Sequence, residues 1–189
     1  MSLHVGVMNF SGQYNHLILR RVRELGFTGD FVDLNEPVNQ IIERFRCLII
    51  SGGPWNVPED LPRLGNAQRL ILEFPGPVLG ICLGHQLMAY TYGGELARVN
   101  PEFGGVRIMV DDEDTLFRGL PREFKVWESH NISVIRAPSG FRVIAHSDRV
   151  PVEAMVNEDI RRFGVQFHPE VSHTEYGREI LRNFLNLCH

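Results

Sequence analysis

A cysteine flanked by glycines is the first feature of this sequence that could do chemistry. The run Gly80-Ile81-Cys82-Leu83-Gly84 has the spacing of the Gly-x-Ser-x-Gly nucleophile elbow, with Cys in place of Ser. An apolar stretch precedes it and a helical pattern follows, so the thiol would lie at a helix N-terminus, where the positive dipole end favours thiolate. The spacing therefore predicts a nucleophile at Cys82; a buried structural cysteine is the alternative for this pentapeptide taken alone.

A candidate base, with a group to orient it, follows another apolar stretch near the end of the chain. His168 and Glu170 are two residues apart, and Pro169 between them disfavours helix at His168, so both side chains can point the same way. Glu170 could then bind one ring nitrogen of His168 and leave the other free to face Cys82. An exposed turn is the alternative. A metal site adding His173 is weaker, because no regular ligand spacing accompanies it.

Paired glycines follow a third apolar stretch, in Ser51-Gly52-Gly53-Pro54. Consecutive glycines let backbone N–H groups point into a site, where they could cradle a phosphate or stabilise an oxyanion. A phosphate loop would continue into Gly-Lys-Ser or Gly-Lys-Thr, whereas this one continues Trp55-Asn56. We therefore favour an oxyanion site that shares the amide of Leu83, with an ordinary loop as the alternative.

Length and composition restrict the kind of protein that holds these residues. The chain has 189 residues, which suits a single domain over 1–189, and its 43% hydrophobic content suits a globular core. A net charge of −4 argues against a nucleic-acid or anionic-membrane surface. The sequence shows no membrane span and no signal peptide at its start. The three cysteines form no Cys-x-x-Cys, so we expect no disulfide scaffold, no thiolate zinc site and a cytoplasmic location.

The periodicity of the apolar residues predicts the elements that position these groups. In the first half, short apolar strands alternate with helices, predicting strands at 4–8, 31–34, 47–50 and 77–81 and helices at 14–25, 38–45, 67–73 and 83–92. The second half predicts strands joined by turns, at 106–110, 124–127, 132–137, 141–145, 152–156 and 163–167, and a last helix at 176–187.

This pattern predicts an α/β fold: an open, mostly parallel sheet with helices on both faces, plus added β-hairpins. Ligands of such sheets bind beyond the carboxyl ends of the strands. The loops after Ile50, Ile81 and Phe167 are therefore the predicted site.

Together, Gly-Gly-Pro, Gly-x-Cys-x-Gly-His-Gln and Gln-Phe-His-Pro-Glu, in this order, resemble the motifs of class I (triad) glutamine amidotransferases over essentially the whole chain. The resemblance implies a flavodoxin-like fold and hydrolysis of L-glutamine through a glutamyl thioester. It also implies the roles of individual residues: Cys82, His168 and Glu170 as the catalytic triad; Gly52, Gly53 and Leu83 at the oxyanion; and Gln86, Asn131 and Ile132, with the Ser129–His130 stretch, as contacts of glutamine.

Within the family, the sequence is most similar to GMP synthases, in Arg20–Gly26, Val126–His130, Pro151–Met155 and Val165–Val171. The chain ends soon after the last predicted helix, so it looks like the separate amidotransferase subunit of archaeal two-subunit enzymes. That likeness implies a partner, an ATP-pyrophosphatase subunit that uses ATP and Mg²⁺ to aminate XMP, and no cofactor or metal in this chain.

The sequence departs from the usual GMP synthase pattern at two positions: Asn9 and Ile132 stand where Asp is usual. Neither belongs to the triad. An amidotransferase for another acceptor, a stand-alone γ-glutamyl hydrolase of the same fold and a non-catalytic binding module are the alternatives.

Overall fold

The computed structural model describes residues 4–113 and 115–188, so the two ends of the predicted 1–189 domain lie outside the described residues. Its helices and strands follow one another as β1 (His4–Met8), α1 (Asn15–Glu24), β2 (Thr28–Val32), α2 (Val38–Arg44), β3 (Cys47–Ile50), α3 (Ala67–Glu73), β4 (Val78–Ile81), α4 (Leu83–Thr91), β5 (Glu95–Val110), β6 (Glu123–Arg136), β7 (Arg142–His146), β8 (Ala154–Asn157), β9 (Arg162–Val165) and α5 (Gly177–Leu185).

All of the strands belong to one nine-stranded sheet, in the order β2-β1-β3-β4-β9-β8-β7-β5-β6. The first five strands in this order run parallel to one another, and the remaining neighbours are antiparallel. Each of β1 to β4 is joined to the next by a connection that contains a helix, which is the kind of crossover that parallel strands need. The predicted fold class is thus confirmed. The hairpins extend the edge of the same sheet. Since β3, β4 and β9 are neighbours, the loops that follow them meet at one edge, as the sequence predicted.

The parallel strands are buried on both faces because helices cover each side. On β3, Cys47 and Ile49 pack with α1 and α5, whereas Leu48 and Ile50 pack with α2, α3 and α4. This alternation explains why the strands read as continuous apolar runs. Among the described residues, no helix has the length and apolar character needed to cross a membrane.

The antiparallel half differs most from the sequence prediction. The strands predicted at 124–127 and 132–137 are one strand, β6, which pairs along its length with β5. Most of β5 was not predicted, because it is largely exposed and polar and contains Pro101, Gly104 and Gly105. The second strand was predicted at 31–34 but runs from Thr28 to Val32.

A disulfide joins two of the three cysteines, which the sequence did not predict. Cys47 in β3 and Cys188 after α5 are bonded, with Cα atoms 5.5 Å apart and 141 positions between them in sequence. The expectation of no disulfide scaffold therefore needs one correction, because a single bond forms. Spacing could not reveal the bond, because only the packing of α5 on the sheet brings the two ends together. Cys82 is the only free cysteine in the described part of the chain.

Candidate active site

Cys82 lies in a sharp turn between β4 and α4, and both flanking glycines are required there. Its backbone has a φ of +53°, a strained conformation for a residue with a side chain. A Cβ on Gly80 would lie 2.6 Å from the backbone of Gly84, and one on Gly84 would lie 2.3 Å from the carbonyl oxygen of Ile50. The turn places the sulfur at the N-terminus of α4, as a nucleophile elbow does.

His168 and Glu170 come together just beyond β9. The Nδ1 atom of His168 is 3.2 Å from Oε2 of Glu170, and both side chains are buried. The loop is held in place because the backbone N–H of His168 donates to the carbonyl of Trp127, and the hydroxyl of Thr174 donates to the carbonyl of His168. Arg21 also donates to the carbonyl of Glu170. These contacts orient the imidazole.

Cys82 is the second group that acts on the His168 ring, and both side chains line one cavity. Burial lowers the pKa of His168, but the carboxylate of Glu170 and the contact with Cys82 outweigh it and hold the pKa well above its usual value. A protonated imidazole beside the sulfur stabilises a thiolate. The arrangement of the three side chains suits a nucleophile, a base and a carboxylate that orients the base.

The predicted oxyanion residues line the cavity that contains Cys82. This cavity has a volume of about 330 Å³, and its walls include Gly52, Gly53, Leu83 and His168. A Cβ on Gly52 would lie 3.0 Å from Cε1 of His168, and one on Gly53 would lie 2.7 Å from the carbonyl oxygen of Phe10. Leu83 begins α4, so its N–H lacks a partner within the helix. A side chain at position 53 would thus meet the backbone of Phe10, and one at position 52 would crowd the imidazole of His168.

Of the predicted glutamine contacts, Gln86 and Asn131 line the cavity, whereas Ile132 does not. The side-chain amide of Gln86 donates to the carbonyl of Ile132 at 2.7 Å, and the Ile132 side chain is buried. The side chain of Gln86 therefore holds the backbone of Ile132 at the edge of the cavity.

Two contacts of Cys82 were not assigned from the sequence. The sulfur lies 3.6 Å from the carbonyl oxygen of Ser129 and 3.7 Å from Nε2 of Gln166. Gln166 lies in the Gln-Phe-His-Pro-Glu motif, so this motif was the sequence feature that could have identified it as a site residue. The edge of Tyr14 meets the His168 ring, with centroids 5.1 Å apart, and its hydroxyl accepts a hydrogen bond from the indole of Trp127.

The position of Asn9 shows how the chain accommodates an amide where Asp is usual. Its Oδ1 accepts hydrogen bonds from the backbone N–H of Ser11 and from the side-chain amide of Asn15. Both contacts need only an acceptor oxygen, which the amide supplies as well as a carboxylate does.

His85, beside the elbow, packs beneath the site and does not line it. Its ring is fully buried and its Nε2 contacts the carbonyl of Val152 at 3.2 Å. Burial lowers the pKa of His85 to about 3, so the ring is neutral. A Cβ on Gly164 would lie 2.3 Å from this ring, so the imidazole fills space that a larger residue in β9 would take.

The described residues contain no group of three or more His, Cys, Asp or Glu side chains arranged to hold a metal ion. The groups gathered around Cys82 are those of acyl transfer through a thiol: a nucleophile at a helix N-terminus, a base with its orienting carboxylate and a cavity beside them.

The chain belongs to the class I glutamine amidotransferase family, whose model matches residues 6–188. Its curated relatives include a glutamine-hydrolyzing GMP synthase subunit of Saccharolobus solfataricus, which is 49% identical over 98% of this chain and 99% of the relative. The subunit of the same name from Pyrococcus furiosus is 44% identical over 96% of this chain and 97% of the relative. A solved structure from Thermoplasma acidophilum, described as a GMP synthase subunit protein, superposes with a TM-score of 0.93 at 35% identity. It covers 100% of this chain and 94% of that chain.

Proposed function

We propose that this chain hydrolyses L-glutamine and supplies the ammonia to a separate ATP-pyrophosphatase subunit that aminates XMP to GMP. The observation that supports the glutaminase activity is the arrangement of Cys82, His168 and Glu170 beside one cavity. The transfer of ammonia to XMP is proposed because relatives that align with nearly the full chain are named as subunits of glutamine-hydrolyzing GMP synthase. We treat 1–189 as one glutaminase domain, since one sheet joins its two halves.

In the first step, the sulfur of Cys82 attacks the side-chain carbonyl carbon of glutamine. The carbonyl oxygen takes the negative charge, and the amides of Gly53 and Leu83 stabilise it; one such donor typically contributes ~2.7–4 kcal/mol to the transition state. His168 then gives its proton to the leaving nitrogen, the C–N bond breaks, and ammonia and a glutamyl thioester remain.

In the second step, His168 takes a proton from water, whose oxygen attacks the thioester carbonyl. The C–S bond breaks, glutamate leaves and the thiolate is restored. Glu170 keeps its negative charge throughout, because its task is to hold the imidazole and to stabilise the imidazolium. Gln86 and Asn131 border the cavity and would contact the glutamine, with the backbone around Ile132.

The chain itself would need no cofactor, and ATP and Mg²⁺ would be bound by the partner. A cytoplasmic location follows from these substrates. The Cys47–Cys188 disulfide is unusual for such a compartment, although intracellular proteins of hyperthermophiles are a general exception to that rule.

The test measures glutamate release from glutamine by the chain alone, and then with an archaeal ATP-pyrophosphatase subunit, XMP and Mg-ATP. We expect strong stimulation by the complete mixture, with GMP as a product, and no release by Cys82→Ala in any mixture. Turnover that ignores the partner would instead indicate a stand-alone hydrolase. Stimulation only by another synthase would reassign the acceptor.

A further inference from the structure

The sulfur of Cys82 has a neighbour that the proposed mechanism does not use. The side-chain amide of Gln166 donates a hydrogen bond to it, with Nε2 3.7 Å from the sulfur. Gln166 directly follows β9, and its side chain is fully buried. A buried amide is costly unless its donor and acceptor ends both meet suitable partners, so the surrounding groups decide which end faces the sulfur.

The orientation of this amide is determined by a chain of contacts that begins at a backbone carbonyl. The carbonyl oxygen of Ile132 lies 2.7 Å from the side-chain nitrogen of Gln86 and 3.0 Å from Nδ1 of His130. A carbonyl oxygen only accepts hydrogen bonds, so the NH₂ end of Gln86 faces Ile132. The amide of Gln86 thus has one defined orientation.

The same nitrogen of Gln86 also faces Gln166. It lies 3.5 Å from Oε1 of Gln166. Because this nitrogen only donates, the oxygen end of Gln166 must face Gln86, and the NH₂ end of Gln166 must then face Cys82. The reversed amide would bring two NH₂ groups together in a buried space and leave both without an acceptor. The contacts from Ile132 through Gln86 to Gln166 therefore direct a donor at the sulfur.

The other neighbours of the sulfur show which form of Cys82 this donor favours. The carbonyl oxygen of Ser129, 3.6 Å away, binds the protonated thiol, because it can accept the S–H and cannot donate to a thiolate. A thiolate is stabilised by donors, which here are the Gln166 amide and the protonated His168 ring. Unlike an imidazole, an amide remains a donor at every pH.

We propose that Gln166 is a further catalytic residue, whose side-chain amide donates to the Cys82 sulfur and stabilises the thiolate, and that Gln86 holds this amide in its donating orientation. The donor would favour the thiolate before it attacks glutamine. It would do so again in the second step, when the C–S bond of the thioester breaks and the thiolate is the leaving group.

The inference rests on the proposed glutaminase function, because it assigns a support for the nucleophile of that reaction. Gln86 acts on the sulfur through Gln166, so toward Cys82 it is a positioning residue. This role is compatible with the contact to glutamine expected of Gln86, because an amide has separate donor and acceptor ends.

The test is the pH profile of alkylation of Cys82 by iodoacetamide, in which the sulfur bonds to the CH₂ carbon and iodide leaves. The other two cysteines are joined in the disulfide, so intact mass of the whole chain reports Cys82. The midpoint of the profile measures how strongly the thiolate is stabilised, and the plateau at high pH measures its intrinsic reactivity. Titratable groups near Cys82 are His168 beyond β9 and Glu128 and His130 on β6, and the variants change none of them.

Gln166→Met, which keeps the length of the side chain and removes the donor, should raise the midpoint by about one pH unit. Its plateau should rise about threefold, because a less stabilised thiolate is the stronger nucleophile. Gln166→Glu keeps an oxygen toward Gln86 and places a second oxygen at the sulfur, so it should raise the midpoint further. Gln86→Met should raise it by less than Gln166→Met. The control Gln40→Met, on the exposed side of α2, should match the unmodified chain.

An unchanged midpoint in Gln166→Met, with a native circular dichroism spectrum, would overturn the proposal. A plateau that falls in this variant would also overturn it, by showing that the site is damaged and the thiolate is not merely less stabilised. If Gln166→Met does not fold, Gln166→Glu and Gln86→Met decide, and the proposal fails if neither raises the midpoint. Failure of the proposed function is seen separately: shifted midpoints without glutamate release in the complete mixture with the partner subunit would keep the role of Gln166 at the sulfur and reassign the substrate.

Discussion

Reduction of the Cys47–Cys188 disulfide should destabilise the fold by a large and calculable amount. The bond closes a loop between positions separated by 141 residues, which restricts the unfolded chain far more than the folded one. The chain-entropy relation gives about 5 kcal/mol for a loop of that length at 25 °C, as an upper value. For a domain of this size, that corresponds to a fall in the melting temperature of about 10–20 °C.

The reduced chain should still fold, because the helix that carries Cys188 to the sheet has its own apolar contacts. Ile180, Leu181, Phe184 and Leu185 of α5 are buried against the same face of the sheet as Cys47. Reduction therefore removes a restraint on the unfolded state and leaves the native packing in place. The loss of stability should appear as a shifted cooperative transition, with the native spectrum unchanged.

The measurement is guanidinium unfolding of the oxidised and reduced forms of one chain, Cys82→Ala, followed by far-UV circular dichroism. The Cys82→Ala background leaves no free thiol to rearrange the bond. Comparing two redox forms of one sequence avoids the cavity that replacing buried cysteines would create. The oxidised form should also show the smaller m-value, because its unfolded state is cross-linked and more compact. A difference in unfolding free energy below about 1 kcal/mol would refute the loop argument, and three titratable thiols in the purified native sequence would refute the bond itself.

Three further predictions concern the elbow, the triad and the buried acids. Cys82→Ala should abolish glutamate release with an unchanged circular dichroism spectrum, whereas Glu170→Gln should lower kcat by about 10²–10⁴-fold and retain measurable turnover. Gly84→Ala should lower the free energy of unfolding by about 2–4 kcal/mol, because its Cβ would meet a backbone carbonyl. Gly105→Ala, whose Cβ would only touch a lysine side chain, should change it by less than about 1 kcal/mol in the same denaturation assay. Burial and the neighbouring Glu128 raise the pKa of Glu153 well above its usual value, so the stability that Glu153 contributes is present at pH 4 and is lost as the pH rises. Glu153→Gln escapes that loss, so its stability relative to the unmodified chain should increase from pH 5 to pH 8. A difference that stays flat over this range would contradict the raised pKa.

The parts of the site that could be predicted from sequence are those that local geometry determines. Cys82 between two glycines, and His168 two residues from Glu170, each carry their geometry in a few neighbouring positions. Their meeting point followed from one general rule, that parallel strands end at a common edge. The order of the strands was not needed, because three apolar runs ending in unusual loops already pointed to that edge.

The parts that sequence did not reveal depend on contacts between distant segments. Glu128 lies on β6 and Glu153 just before β8, and neither has a neighbour in sequence that indicates a partner. Cys47 and Cys188 meet only after α5 has packed. The long strand β5 was missed for a different reason: its exposed polar residues and glycines break the apolar alternation, and its pairing with β6 overrides that local preference.

The two halves of the sheet divide the proposed chemistry between them. Cys82, His168 and the Gly52–Gly53 loop follow three neighbouring parallel strands, so the reacting groups depend on the half of the fold that helices cover on both faces. Segment 129–132 belongs to the antiparallel half, which bends back so that the carbonyl of Trp127 meets the backbone N–H of His168. Residues 129–131 of this second half line the cavity beside Cys82. The antiparallel strands therefore supply one wall of the site, whereas the parallel strands supply the reacting groups.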